Sequence, residues 1–150
     1  MKIRILTVGK KHEPWVEKGI ERFVERLRPP FAATFEIIPH SGKSGDDAIR
    51  EESEKIEKRL SSDDAIILLD ERGKNLSSPE LAAHIERLSG QNIVIIIGGA
   101  YGVSAQLRQR ANLVWSLSRL VFPHHLVRLI LAEQLYRAQE ISRGGQYHHE

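Results

Sequence analysis

The sequence predicts an α/β fold with a mostly parallel sheet flanked by helices. Short β-branched or fully apolar runs alternate with segments of helical periodicity along the chain, the pattern of strand–helix–strand units. The run Ala65-Ile66-Ile67-Leu68-Leu69 is apolar at every position, as a strand covered on both faces requires. A length of 150 residues fits one domain, 1–150, and no linker or internal repeat divides it.

The elements follow in order. Ile3–Val8 is short, β-branched and closed by Gly9, which predicts a strand. Pro14–Arg28 places Trp15, Ile20, Phe23, Val24 and Leu27 at helical spacing and stops at Pro29-Pro30. Phe35–Ile38 reads as the second strand and Ser41–Gly45 as a loop. Asp47–Leu60 is then a charged helix with Ala48, Ile49, Ile56 and Leu60 inward. The Ala65–Leu69 strand stops at Asp70-Glu71-Arg72-Gly73. Ser77-Ser78-Pro79-Glu80 combines an N-cap, an early proline and an early acid, and opens a helix burying Leu81, Ala82, Ile85 and Leu88. Ile93–Ile97 is the fourth strand and runs into Gly98-Gly99-Ala100-Tyr101-Gly102. A helix near Ala105–Ala111, a strand at Leu113–Ser116 and a last helix from Pro123 to Ile141 complete the chain.

With 41% hydrophobic and 28% charged residues the chain is neither disordered nor fibrous. A net charge of +2 selects no partner by itself, but its distribution is informative. From Tyr101 onward six arginines face three glutamates, whereas 61–100 is acidic, so the last third is the better anion-binding candidate. Absence of cysteine excludes disulfides, a thiolate nucleophile and a cysteine zinc site, and makes the cytoplasm the expected setting. The N-terminal apolar run is too short for a signal peptide. The runs at Ile93–Ile97 and Leu129–Ala132 fall short of the roughly 20 residues of a membrane span.

In parallel sheets ligands gather beyond the carboxyl ends of the strands, which directs attention to the loops after Leu69, Ile97 and Ser116. Three glycines in Gly98–Gly102 either let a ligand approach the backbone or serve a tight packing turn. Ser118 and Arg119 lie among apolar neighbours, the mixture of a pocket wall. Ser41-Gly42-Lys43-Ser44 resembles the end of a phosphate-binding loop, but Ile37 stands where its first glycine belongs. A dinucleotide fingerprint is also missing, and His124 and His125 have no evident partners for a metal. Leu126–Ala138 is apolar nearly all round and needs cover from a partner subunit or from its own sheet. The C-terminal Gly144-Gly145-Gln146-Tyr147-His148-His149 combines mobility with a stacking ring, donors and a candidate base.

Five ordered segments together resemble the RlmH family: Leu68–Lys74, Ile97–Gly102, Leu117–His124, Glu133–Ala138 and Tyr147-His148. The resemblance spans the whole chain, with His149 where the family usually carries Lys or Arg. It implies a SPOUT-class methyltransferase that uses S-adenosyl-L-methionine to methylate N3 of a pseudouridine in 23S ribosomal RNA, on the assembled ribosome. It further implies a C-terminal deep trefoil knot, a feature otherwise nearly absent from proteins, and a homodimer whose final helices pack together. Cofactor-binding residues by the same resemblance are Leu69, Gly98, Gly99, Leu117, Ser118, Arg119, Leu120, Val121 and Phe122. His148, Tyr147 and Glu133 are the catalytic candidates. Arg119, His124, Arg128 and His149 are the expected RNA contacts, and neither metal nor membrane is expected. The competing class is a ribosome-binding dimer that keeps the fold without methyl transfer.

Overall fold

The computed structural model describes residues 2–149. Five strands, β1 (Ile3–Val8), β2 (Ala33–Ile38), β3 (Ala65–Asn75), β4 (Ile93–Ile97) and β5 (Leu113–Ser116), form one sheet in the order β2-β1-β4-β3-β5. Every pairing is parallel. The connecting helices are α1 (Pro14–Val24), α2 (Gly45–Glu57), α3 (Ser78–Arg87), α4 (Ala105–Arg110) and α5 (His124–Ser142).

Strand periodicity divides the core into two layers, because successive side chains leave a strand on opposite faces. Ile3, Ile5, Ile67, Ile93 and Ile95 meet Leu81 and Ile85 of α3 and Leu131, Leu135 and Ala138 of α5. Leu6, Val8, Ile66, Leu68, Val94 and Ile96 meet Ile56 of α2 and Leu107 of α4 on the other face. Both faces are thus closed, which is why β3 and β4 carry continuous apolar runs.

The last helix is fixed by polar clamps as well as packing. Buried Gln139 accepts from the Arg28 backbone N–H at 2.6 Å and donates to the Arg26 carbonyl at 2.9 Å. These contacts take over the chain just past α1, which ends at Val24 instead of the expected Arg28. Trp15, expected inward, is 58% exposed and donates its indole N–H to Glu13, while Val16 and Ile20 fill the inner face of α1. On α2, Glu52 and Ser53 are buried beside Ala48 and Ile56, a polar element that apolar periodicity did not reveal.

The largest departure lies in β3, which was expected to stop at Leu69 and extends to Asn75. Leu69 and Lys74 both pair with Trp115, so the intervening residues bulge outward before pairing resumes at Asn75 and Ser116. Gly73 permits the return: a Cβ there would lie 2.6 Å from the Val114 carbonyl oxygen. Asp-Glu-Arg-Gly reads locally as a turn, but it is a bulge between two pairings of β3 with the edge strand β5.

The expected capping box is present at α3, where Ser77 Oγ accepts from the Glu80 N–H and the Glu80 carboxylate accepts from the Ser77 N–H. Ser77→Ala is expected to cost about 1 kcal/mol in urea denaturation. Ligand binding should be unaffected, because α3 supplies none of the cleft walls described below.

Candidate active site

A cleft of about 580 Å³ opens at the carboxyl ends of β3, β4 and β5, within the range of small-molecule sites. Three loops build it. The first is Leu69–Arg72 in the β3 bulge, the second is 98–103 after β4, and the third is 117–122 between β5 and α5. His124 and Val127 on the first turns of α5 close the back. Of the expected cofactor residues, Leu69, Gly98, Gly99, Leu117, Ser118, Leu120, Val121 and Phe122 all line this cleft. Arg119 does not line it: its side chain is exposed, turned away from its neighbours' wall.

The walls combine apolar and polar groups. Leu120 and Val121 are 69% and 77% exposed at the mouth, an apolar rim that a ligand or partner would cover. Trp115 is buried at the base and its Nε1–H has no hydrogen-bond partner among the described residues, leaving a donor for a bound ligand. Ser116 Oγ donates to the Ser118 carbonyl at 2.7 Å and Ser118 Oγ accepts from the Leu120 N–H, which shapes the third loop. Asp70 anchors the first loop, accepting from the Arg72 backbone N–H at 2.8 Å and from the Arg108 guanidinium. Burial pushes the Asp70 carboxyl up, but these two partners outweigh it and hold its pKa below the ordinary value.

Beneath the second loop lies a group that motif reading missed. Glu52 is 4% exposed; its Oε2 accepts from the Ser41 N–H at 2.8 Å, while Oε1 is buried without a partner among the described residues. A Cβ on Gly99 would lie 2.5 Å from that Oε1, so only glycine lets the loop rest on the carboxylate. Ser53 Oγ accepts from the Ser104 N–H at 2.9 Å and holds the far end of the loop. The signal was present in sequence, since Glu52 interrupts the i, i+4, i+8 stripe Ala48–Glu52–Ile56. The Ser41–Ser44 segment therefore serves as a fastening for α2, with Lys43 N–H on Ser41 Oγ.

Two expected RNA contacts are corrected. Arg128 is 0% exposed. Its Nε donates to Thr7 Oγ1 at 3.0 Å and its Nη1 to the Lys10 carbonyl at 2.8 Å, with His12 Nδ1 at 3.2 Å. It ties α5 to the end of β1 and offers no surface charge. His124 is half-buried, with Nε2 2.8 Å from the Gly98 carbonyl oxygen. Burial lowers its pKa, and Arg128 and His125 lower it further against the opposing Gly98 bond and Glu52, so the ring is neutral near pH 7 and brings no positive charge to a phosphate. Arg119 and His149 are exposed and free to meet a polyanion.

The catalytic candidates gather elsewhere. Glu133 Oε2 accepts from Arg137 Nη2 at 2.8 Å and from Tyr147 OH at 2.8 Å. The Arg137 guanidinium lies 4.9 Å from the centre of the Tyr147 ring and 3.1 Å from His148 Nδ1. Burial and donation to Glu133 both raise the Tyr147 pKa, which keeps the phenol protonated. Three of the expected residues thus form one cluster on the outer side of α5, and none of them lines the cleft.

A family profile described as "Predicted SPOUT methyltransferase" matches residues 1–148. The chain belongs to the SPOUT methyltransferase family. Among SPOUT relatives, the Ribosomal RNA large subunit methyltransferase H of Geobacter metallireducens is 42% identical over 154 positions, covering 99% of each chain. The protein of the same name from Syntrophobacter fumaroxidans is 44% identical over 158 positions, again covering 99% of each. The solved structure of a probable methylase family protein from Haemophilus influenzae superimposes with a TM-score of 0.59 at 14% identity, over 95% of this chain and 66% of that one. The SpoU methyltransferase AviRb from Streptomyces viridochromogenes, solved in complex with AdoMet, superimposes with a TM-score of 0.50 at 13% identity. This chain spans 59% of AviRb, and at these identities the likeness is one of fold.

Among the described residues no group of three or more His, Asp or Glu is placed to hold a metal, and no helix is long and apolar enough to cross a membrane. The cleft's own features fit an adenosine-bearing methyl donor: an apolar slot, an unpartnered indole donor and glycine backbone on one wall. Gly99→Ala should drive Glu52 from its seat and displace the second loop. The expected result in calorimetric titration with S-adenosylmethionine is binding weaker by at least about tenfold.

Proposed function

We propose that the chain transfers the methyl group of S-adenosylmethionine to N3 of a pseudouridine in 23S ribosomal RNA, acting on the assembled ribosome as a cytoplasmic homodimer. The relatives named as large-subunit ribosomal RNA methyltransferases, near 42% identity over full length, support the RNA class. S-adenosylmethionine supplies an electrophilic methyl when bound. Leu69, the Gly98-Gly99 backbone, Trp115 and the Leu117–Phe122 segment without Arg119 are the residues placed to hold it.

One observation carries the dimeric part of this reading. The cluster of Glu133, Arg137, Tyr147 and His148 stands apart from the cleft of its own protomer, so a second copy must bring such a cluster to each cleft for both to act together. Pairing of α5 helices would do this and would cover Leu126, Leu129 and Ile130, which are only partly buried in one chain. The trefoil knot belongs to the same proposal. Its support is the path of the chain, which leaves edge strand β5, crosses the cleft through 117–122 and enters α5 on the face occupied by α1 and α3.

In the donor-bound site the chain's task is to align N3 with the methyl carbon and to remove the N3 proton. Exposed Arg119 and His149 meet RNA phosphate, and the small net charge makes the preassembled ribosomal surface the main source of positioning.

A chain truncated after Gly145 should remain dimeric in sedimentation and bind S-adenosylmethionine normally, yet methylate ribosomes about 100-fold more slowly. Mixing that truncated chain with a Gly99→Ala chain should restore activity, because one intact cleft then faces one intact C-terminal segment. Normal methylation by the truncated dimer would remove the segment from catalysis.

A further inference from the structure

Apolar exposure in this chain is concentrated at the cleft. Five large hydrophobic side chains stand exposed among the described residues, and three of them, Tyr101, Leu120 and Val121, line it. The other two have local partners: Trp15 donates to Glu13, and Tyr147 donates to Glu133 and lies edge-on to Tyr136. Tyr101 has neither kind of partner. Its side chain is 52% exposed and makes no hydrogen bond or ring contact among the described residues. The fold of one chain gives this ring no task, because it fills no core and satisfies no polar group, and an exposed apolar group at a cleft marks a binding surface.

The second loop holds the ring in place. The Gly102 N–H donates to the Gly99 carbonyl at 3.0 Å and closes a four-residue turn in which Tyr101 stands third. Gly99 rests on Glu52 at one end of this turn, and the Ser104 N–H is held by Ser53 Oγ just past the other. An aromatic face on a turn fastened at both ends is organised before its ligand arrives. Charge near the opening suits a polyanion. Arg72 lines the cleft with its side chain largely exposed, and exposed Arg119 stands on the third loop. Against them are Asp70, which is engaged by Arg108, and exposed Glu71. The residues assigned above to the methyl donor do not include Tyr101, which leaves the ring to the acceptor.

We propose that the Tyr101 ring is the stacking platform for a nucleobase of the acceptor RNA at the mouth of the cleft, with Arg72 and Arg119 meeting the adjoining phosphates. This rests on the RNA-methylation reading above and adds the group that holds the acceptor. Unpaired RNA bases stack on aromatic faces, and such stacking tolerates any base, so Tyr101 positions the nucleotide and leaves its choice to the ribosomal surface. The contact exists before and during transfer, so its loss falls on KM for the ribosome more than on kcat.

The test uses the full-length protein, S-adenosylmethionine and ribosomes lacking the modification. Tyr101→Leu keeps an apolar side chain and removes the aromatic face, whereas Tyr101→Phe keeps the face. Y101L is expected to raise KM for ribosomes about tenfold, with kcat within about threefold of normal, and Y101F to restore KM to within about twofold. Calorimetry should show Y101L binding S-adenosylmethionine within about twofold of normal. A second measurement needs no turnover. The chain has three tyrosines, so the Tyr101 ring resonances can be identified in NMR spectra by their loss in Y101F. With S-adenosylhomocysteine bound, added pseudouridine 5′-monophosphate should move them upfield. Resonances unmoved by the nucleotide would overturn the assignment. Weakened donor binding by Y101L would place the ring on the donor's adenine, and altered sedimentation of Y101L would make it a contact between subunits; either result overturns the stacking role. Ribosomes left unmethylated by the unaltered protein remove the function reading and this proposal together, whereas an unchanged ribosome KM in Y101L removes this proposal alone.

Discussion

The buried guanidinium of Arg128 is the contact on which the site depends. It joins the fifth helix to the end of the first strand through Thr7, the Lys10 carbonyl and His12, contacts separated by more than a hundred residues of sequence. Burying such a cation without an adjacent carboxylate is costly, and the cost is offset only because three groups meet it at hydrogen-bond distance. One turn earlier, His124 reaches the Gly98 carbonyl, so the position of α5 and the shape of the glycine loop are set together. Gln139 near the other end of the helix completes the fixation against the chain that follows α1.

From that constraint the rest of the cleft follows. With α5 fixed, the 117–122 segment must cross the carboxyl ends of the strands to reach it, and this crossing makes the third wall. The β3 bulge supplies the first wall, fastened by Asp70 with Arg72 and Arg108, and Glu52 supports the second from below. The device is economical: Asp70 and Glu52 each tie one loop, the Ser116 and Ser118 hydroxyls shape the third, and together they make a cleft on a sheet of five strands. The same helix presents the Glu133, Arg137 and Tyr147 cluster on its outer side, so a single element serves two different surfaces.

Much of this is legible in the sequence. Continuous apolar runs in β3 and β4 announced a sheet covered on both sides, and the capping residues at Ser77 and Glu80 announced α3. The three cleft loops were legible too, since parallel strands open clefts at their carboxyl ends. Less visible were the positions where one residue type serves an unusual purpose. Arg128 and Arg119 have the same side chain, yet one is sealed in the core and the other lies exposed beside the cleft. Only the residues brought against each of them by distant parts of the chain decide which is which.

The sequence by itself determined the alternation of strands and helices, the double-faced burial of the central strands and the location of the glycine loop. These depend on local periodicity and on the conformational freedom of glycine, properties carried by neighbours in the chain. Tertiary structure alone decided that β3 continues through Asp70–Asn75, that Glu52 and Arg128 are buried, and that His124 turns its Nε2 to Gly98. Each of those outcomes depends on a partner far away in sequence, because a polar group enters the interior only where the fold has already assembled the groups that satisfy it.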